Sequence, residues 1–268
     1  MGKLTKTASI IIEYEAKYPR LIKAYYQKEN TYSQRKQGKL QLRKPYFAWI
    51  VGKYLALCEG DDYWIDPLKL QRQVMFLEEN AEYSLVVSGF IQLDVITGKK
   101  ETIIKRFKKN ENSNGYSFDK YDLKRGWFTK TLTTVLRNEL LDSFDASFFK
   151  YPRDVHTSYH LLQHGKGFYF TKIMGVYRIH QGGIFSSLSE WNRILTGYAI
   201  YKELYNYYKD EPARFSYLHI LQSLLGNRVV TWRNSGYSNK VKQAFRLVKT
   251  TKAFILTIIS LGNVFILV

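Results

Sequence analysis

The chain of 268 residues contains little cysteine, little proline and, towards its end, no acid. Its one cysteine, Cys58, cannot form an intramolecular disulfide, so a reducing cytoplasm fits better than secretion. The sequence near the N-terminus has no uninterrupted apolar stretch, because Glu13 and Glu15 follow three isoleucines. We therefore expect no signal peptide there. No acidic residue follows Glu211.

Positive charge is abundant. Lysine and arginine number 41 against 23 aspartates and glutamates, which gives a formal net charge of +18, and eight basic residues follow Glu211. A basic balance of this size favours anionic partners: nucleic acid, anionic lipid head groups or phosphorylated substrates. The sequence contains no recognised nucleic-acid-binding module, so we expect no nucleic-acid partner. A hydrophobic content of 45% is ordinary for a folded globular protein.

Apolar periodicity predicts strands that alternate with helices through the first 180 residues, followed by a mainly helical region. The predicted helices are residues 9–17, 68–80, 154–163, 191–209 and 215–227. The predicted strands are residues 21–27, 83–94, 101–105, 131–136, a buried strand that ends at residue 57, and two short strands within 168–179. This order predicts an α/β core with a helical appendage.

The acidic stretch CEGDDYW, residues 58–64, follows the apolar run 54–57. A solvated acidic β-turn would explain it without any function. However, ligands of α/β sheets bind beyond the carboxyl ends of strands, where this turn is predicted to lie. Neighbouring carboxylates also repel one another unless a cation lies between them, and Mg²⁺ and Mn²⁺ prefer such oxygen ligands. The turn is therefore a candidate metal site.

The longer segment GKYLALCEGDDYWIDPLKLQRQV resembles the central segment of family 2 inverting glycosyltransferases. FYFTKIMGVYRIHQGG, residues 168–183, resembles the family's Tyr-Arg-x-His segment, and PRDVHTSYHLLQHGKG, residues 152–167, resembles the helix start that carries its catalytic base. The resemblance covers residues 8–185. It implies a GT-A fold, a nucleotide-diphospho-sugar transferase-like α/β core with a mixed sheet flanked by helices, over residues 1–190. Residues 191–268 would form a helical C-terminal region.

The resemblance implies a Mn²⁺ or Mg²⁺ cofactor. Asp61 would be the principal ligand, and Glu59 would occupy the first position of the acidic motif, where aspartate is more usual. His180 would approach the ion from the opposite side. A histidine that follows a strand could instead be a hydrogen-bonded loop residue.

The resemblance also implies roles for the residues that would bind the substrates. Asp62 and Arg178 would contact the nucleotide-diphosphate sugar donor, and Tyr63 and Trp64 could stack on an acceptor sugar. Asp154 would act as the catalytic base, because an inverting transfer needs one carboxylate to remove the acceptor's hydroxyl proton. Each role has a structural alternative: a helix N-cap for Asp154, an ion pair for Arg178, and core packing for the aromatics.

The activity implied is metal-dependent, inverting transfer of one sugar from a nucleotide-sugar to a glycan or lipid-linked acceptor, in cell-surface polysaccharide biosynthesis. The family's processive members carry a Gln-x-x-Arg-Trp motif, which this sequence lacks. The family also opens with a strand and a nucleotide-binding βαβ unit, whereas this sequence begins near the helix that follows them. The alternative is therefore a truncated, inactive remnant that only binds a partner or a membrane.

Three histidines suggest a different metal site. His156, His160 and His164 recur at every fourth position and would share one face of a helix. Three such side chains span about 12 Å, too far for one ion, so at most two could bind zinc together. Cys58, between apolar residues, is expected to be an inert buried thiol.

The C-terminal residues predict contact with a membrane surface. Residues 240–252 place apolar side chains on one helix face with basic residues around them, which suits an anionic lipid surface. Sixteen uncharged residues follow, fewer than the roughly 20 needed to span a bilayer. We expect a cytoplasmic protein attached peripherally to the inner face of the membrane. The alternative is a C-terminal helix buried against the core.

Overall fold

The computed structural model describes residues 6–26, 49–105, 114–125, 127–150, 152–183 and 188–234. The chain divides into two compact units, Met1–Val51 and Gly52–Val268. The predicted C-terminal membrane-binding segment, residues 240–268, lies outside the described residues. Among the helices that are described, none combines the length and the apolar character needed to cross a membrane.

The first unit contains helix α1, Lys6–Lys17, close to its predicted position. The strand predicted for residues 21–27 is wrong over its described part, because residues 22–26 form no regular structure. Here Glu15 of α1 accepts hydrogen bonds from the Ala24 main-chain N–H at 2.8 Å and from the Tyr26 hydroxyl at 3.2 Å. The backbone therefore bonds to a side chain of the preceding helix and not to a neighbouring strand.

The second unit is built on a mixed β-sheet, as the predicted α/β class requires. The strands are β1 Tyr54–Ala56, β2 Tyr63–Trp64, β3 Tyr83–Asp94, β4 Lys100–Ile103, β5 Gly115–Phe118, β6 Val135–Arg137 and β7 Lys166–Ile179. Within the described residues their order is β1-β6-β3-β7-β2, with β4 beside β3 and β5 beside β7. The central pair, β3 and β7, is parallel, and the other pairs are antiparallel.

Helices cover both faces of this sheet. The remaining helices are α2 Lys69–Glu79, α3 Asp154–His164, α4 Glu190–Tyr208 and α5 Glu211–Asn234. Side chains alternate along β3, so Leu85 faces Leu161 of α3, whereas Val86 faces Leu77 of α2. All four of these leucines and valines are fully buried. The sheet is therefore the middle of three layers.

The helical C-terminal region packs onto the layer that contains α3. Leu204 of α4 belongs to the same buried cluster as Leu161. The hydroxyl of Tyr159 in α3 donates to Asp210, which lies between α4 and α5, at 2.6 Å. Tyr198 and Tyr217 join α4 to α5. Residues that follow the sheet in sequence thus contribute to its core.

Three further predicted strands differ from the structure. The two short strands predicted within 168–179 are one strand, β7, whose pairing with β3 shifts register near Gly89. The strand predicted for 131–136 begins only at Val135, because Thr131–Thr133 form a 3₁₀ turn. Threonine side chains compete with strand pairing there: the Thr133 and Thr134 hydroxyls both donate to the Lys130 carbonyl at 2.8 Å.

Arg137 of β6 ties the end of α2 to the start of β3. Its guanidinium donates to the carbonyl oxygens of Tyr83 at 2.8 Å, Leu77 at 2.5 Å and Asn80 at 3.2 Å. A lysine ammonium cannot reach all three. We expect Arg137→Lys to lower the free energy of unfolding by about 2–3 kcal/mol, measured by urea denaturation.

Arg72→Lys is the control for this change. Arg72 is exposed, and its Nε lies 3.6 Å from the Asp66 carboxylate. Replacing it should therefore lower the free energy of unfolding by less than about 1 kcal/mol. A change at Arg137 as small as that at Arg72 would contradict a bridging role for the guanidinium.

Candidate functional site

The acidic turn lies beyond the carboxyl end of β1 and beside the last residues of β7. The chain leaves the sheet at Ala56 and returns at Tyr63, which pairs with Val176. Between them the Asp62 N–H donates to the Glu59 carbonyl at 3.0 Å and closes the turn. This is the edge of an α/β sheet at which ligands bind.

Asp62 anchors the turn to β7. Its side chain is buried and accepts a hydrogen bond from the Arg178 main-chain N–H at 2.9 Å. The Arg178 Nε donates to the carbonyl of Asp61. The second oxygen of Asp62 is also buried but has no hydrogen-bond partner, and burial raises the pKa of this carboxyl. Arg178, which was predicted to contact the donor, therefore holds the turn in place.

Asp61 and His180 meet directly, although 118 residues separate them. The His180 Nε2 lies 3.0 Å from the Asp61 Oδ2, and this hydrogen bond lowers the pKa of Asp61. The Gly182 N–H donates to the His180 Nδ1 at 3.2 Å. The structure thus brings together two of the three predicted metal ligands.

Glu59 and Asp154 complete the acidic group. Desolvation and repulsion from Asp62, Asp154 and Asp61 raise the pKa of Glu59 to about 7. Desolvation also raises the pKa of Asp154. Both residues keep exposed surface. Because the charge of Asp154 contributes to the raised pKa of Glu59, Asp154 lies close to the turn.

Three residues of the site were not identified from the sequence. The Lys130 ammonium lies 4.5 Å from the ring centroid of Tyr177. Desolvation and the neighbouring carboxylates raise the pKa of Tyr177, and desolvation together with the charge of Asp154 raises the pKa of Tyr201 in α4 to about 12. Tyr177 lies within the stretch YRIH and was open to prediction. Lys130 and Tyr201 lie in no motif.

The two aromatics predicted to bind the acceptor have different environments. Tyr63 is 44% exposed. The Trp64 indole N–H donates to the Leu132 carbonyl at 2.8 Å, and the ammonium of buried Lys69 lies 4.5 Å from the Trp64 ring centroid. The Trp64 side chain is thus held by contacts within the fold, whereas the Tyr63 side chain is partly exposed to solvent.

One structural alternative, the N-cap role of Asp154, and the prediction that Cys58 is buried are wrong. Asp154 is the first residue of α3 and not its N-cap, which is Arg153. Cys58 is exposed and not buried, because the turn carries it away from the sheet.

The histidines of α3 have separate structural roles. Buried His156 accepts from the Arg153 N–H at 3.0 Å, and the pKa of His156 falls to about 4, mainly through desolvation. The His160 Nε2 lies 3.0 Å from the Leu140 carbonyl, and His164 is exposed. Across the described part of the chain, no three His, Cys, Asp or Glu side chains already form a group that could hold a metal ion.

Comparison with known proteins gives a partial relationship. No family model matches the chain. It is 43% identical over 76 residues to the uncharacterized proteins Mb1547 of Mycobacterium bovis and Rv1520 of Mycobacterium tuberculosis. The match covers 28% of this chain and 20% of each relative. The matched segment therefore spans one fifth of the length of these relatives.

The raised pKa of Glu59 predicts a pH-dependent effect on stability. Its folded-state pKa of about 7 exceeds the ordinary value of 4.5, so wild-type stability falls as pH rises from 4.5 through 7. Glu59→Gln removes this loss. In the presence of a chelator, we expect the free energy of unfolding of the variant to exceed that of wild type by about 1 kcal/mol at pH 8 and by less at pH 4.5. The expected difference is small because solvent screens an exposed carboxylate.

The free energy of unfolding from urea titrations at both pH values measures this gain. Glu79→Gln, at an exposed position of α2, should show the wild-type pH dependence. An equal gain for Glu59→Gln at both pH values would contradict the repulsion described above.

Proposed function

We propose that the protein is a metal-dependent inverting glycosyltransferase that moves one sugar from a nucleotide-sugar donor to a glycan or lipid-linked acceptor. The observation that carries this proposal is that the Asp61 carboxylate and the His180 imidazole meet, 3.0 Å apart, at an acidic turn near enough to Asp154 for its charge to raise the pKa of Glu59. A base opposite a cation-binding turn is the pair of groups that an inverting transfer needs.

The fold supports the same proposal. A mixed sheet with a parallel central pair and helices on both faces is compatible with a GT-A core. The acidic turn follows β1 and is held by the end of β7, and Asp154 begins the helix packed on the opposite layer from α2. On this proposal the three stretches that resemble family 2 glycosyltransferases contribute to one site.

Mn²⁺ or Mg²⁺ fits the residues at the turn. The Asp61 Oδ2 and the His180 Nε2 are 3.0 Å apart, close enough for both to contact one ion. Mg²⁺ needs only one or two protein carboxylates when phosphates and water complete its shell. Asp61 and His180 would hold the ion; Glu59, the third predicted ligand, lies in the same turn but does not form a three-residue group with them. When bound, the ion would neutralise negative charge on the departing diphosphate.

The protein's own groups would carry the proton and orient the substrates. Asp154 would take the proton of the acceptor hydroxyl as that oxygen bonds to the anomeric carbon, and the diphosphate oxygen would leave with the electron pair of the broken bond. A raised pKa makes Asp154 a stronger base than an ordinary aspartate. Asp62 would keep the turn in place through Arg178 and approach the donor sugar. Tyr63 would stack on the acceptor.

The partners proposed for the rest of the chain follow from charge. A glycan or lipid-linked acceptor would be met at the inner face of the cell membrane, and the basic C-terminal segment would bind its anionic surface. Such a reaction would serve cell-surface polysaccharide biosynthesis.

Asp154→Asn should lower turnover by about 10²–10⁴-fold, because an amide cannot accept the hydroxyl proton. The assay is release of nucleoside diphosphate from a panel of nucleotide-sugars with Mn²⁺ and candidate acceptors. Asp142→Asn, at an exposed position before α3, is the control and should retain wild-type turnover.

Two results would contradict this account. Near-wild-type turnover of Asp154→Asn would remove Asp154 from the mechanism. If wild type turned over no donor of the panel, the protein would instead be a binding-only remnant of such an enzyme.

A further inference from the structure

Lys130 is held rigidly at the edge of the acidic site. Its main-chain carbonyl accepts three hydrogen bonds: from the Thr133 N–H at 2.9 Å and from the Thr133 and Thr134 hydroxyls at 2.8 Å. Its half-buried side chain lies along Tyr177, with the ammonium 4.5 Å from the ring centroid. A cation against an aromatic face is held in position without losing its charge.

The charge of Lys130 acts on three carboxylates at once. It lowers the pKa of Glu59, of Asp62 and of Asp154. Within the described residues, no carboxylate lies within salt-bridge distance of its ammonium. Lys130 thus lies among the acids without forming an ion pair with any one of them.

Asp61 has different neighbours. The His180 imidazole and the Arg178 guanidinium contact it and lower its pKa. Lys130 thus supplies a second positive charge at the site in addition to Arg178, and this charge acts on Asp154 as well as on the turn.

We propose that Lys130, held against Tyr177, binds a phosphate oxygen of the departing diphosphate. This inference rests on the proposed function. Four carboxylates repel a diphosphate, and one divalent ion offsets only part of that repulsion. Lysine binds phosphate as a compact point charge, and a preorganised cation near the departing oxygen stabilises the charge that develops there.

The test compares Lys130→Met with wild type by calorimetric titration of inorganic pyrophosphate in the presence of Mn²⁺. We expect the variant to bind pyrophosphate about 10–100-fold more weakly, since a hydrogen bond between two charged groups is lost. Lys130→Arg keeps the charge and should recover much of the affinity. Lys202→Met is the matched control, because Lys202 also lies over a tyrosine, Tyr198, at 5.8 Å.

A second titration separates ligand binding from a structural role. Without pyrophosphate, Lys130→Met should bind Mn²⁺ as tightly as wild type or more tightly, because a cation has been removed from beside the acids. Weaker binding of both Mn²⁺ and pyrophosphate would mean that Lys130 only supports the turn, which would overturn the inference.

The remaining outcomes distinguish the inference from the proposed function. Equal pyrophosphate affinity of wild type and Lys130→Met would overturn the role of Lys130 alone. If wild type bound no pyrophosphate in the presence of Mn²⁺, the proposed diphosphate site would fall, and the inference with it.

Discussion

The parallel pairing of β3 with β7 determines where every part of the candidate site lies. It brings the end of β7 beyond the end of β1, so that Arg178 and His180 meet the turn that carries Asp61 and Asp62. The same pairing places α3, which leads into β7, on one face of the sheet. Asp154, at the start of that helix, lies near enough to the turn for its charge to raise the pKa of Glu59. The pairing of β3 with β7 therefore brings the acidic residues of the site to one location.

Crowding of negative charge is the electrostatic consequence. In a protein with a net charge of +18, desolvation raises the pKa of Glu59, Asp62 and Asp154, and repulsion from neighbouring carboxylates adds to the rise for Glu59 and Asp62. Neighbouring carboxylates stay ionised when bound cations or substrates offset their repulsion. The protein supplies part of that offset through Lys130, and the proposed function assigns the remainder to a divalent ion.

Sequence patterns predicted the elements whose signals are local. Strand β3 has the predicted ends, because its alternation continues through twelve residues, and α3 begins at the predicted Asp154. The strand predicted after residue 20 failed because a hydrogen bond from Ala24 to Glu15 replaces strand pairing. The start of β6 was misplaced because threonine hydroxyls bond to the Lys130 carbonyl.

The candidate site was predictable to a similar extent. The resemblance named Asp61 and His180, which the structure brings within 3.0 Å. Lys130 has no sequence motif, because its position depends on a turn and on an aromatic ring 47 residues away. Long-range contacts of this kind become visible only once the strands are paired.

The central claim of the proposed function is that Asp61 and His180 would hold a divalent ion within reach of Asp154. The most direct measurement is anomalous diffraction from crystals of the protein grown with Mn²⁺ and pyrophosphate. We expect a Mn²⁺ peak about 2.0–2.3 Å from the Asp61 carboxylate and the His180 Nε2, with pyrophosphate oxygens beside it. Pyrophosphate bound at this turn without the ion, or a Mn²⁺ peak on other residues, would contradict it.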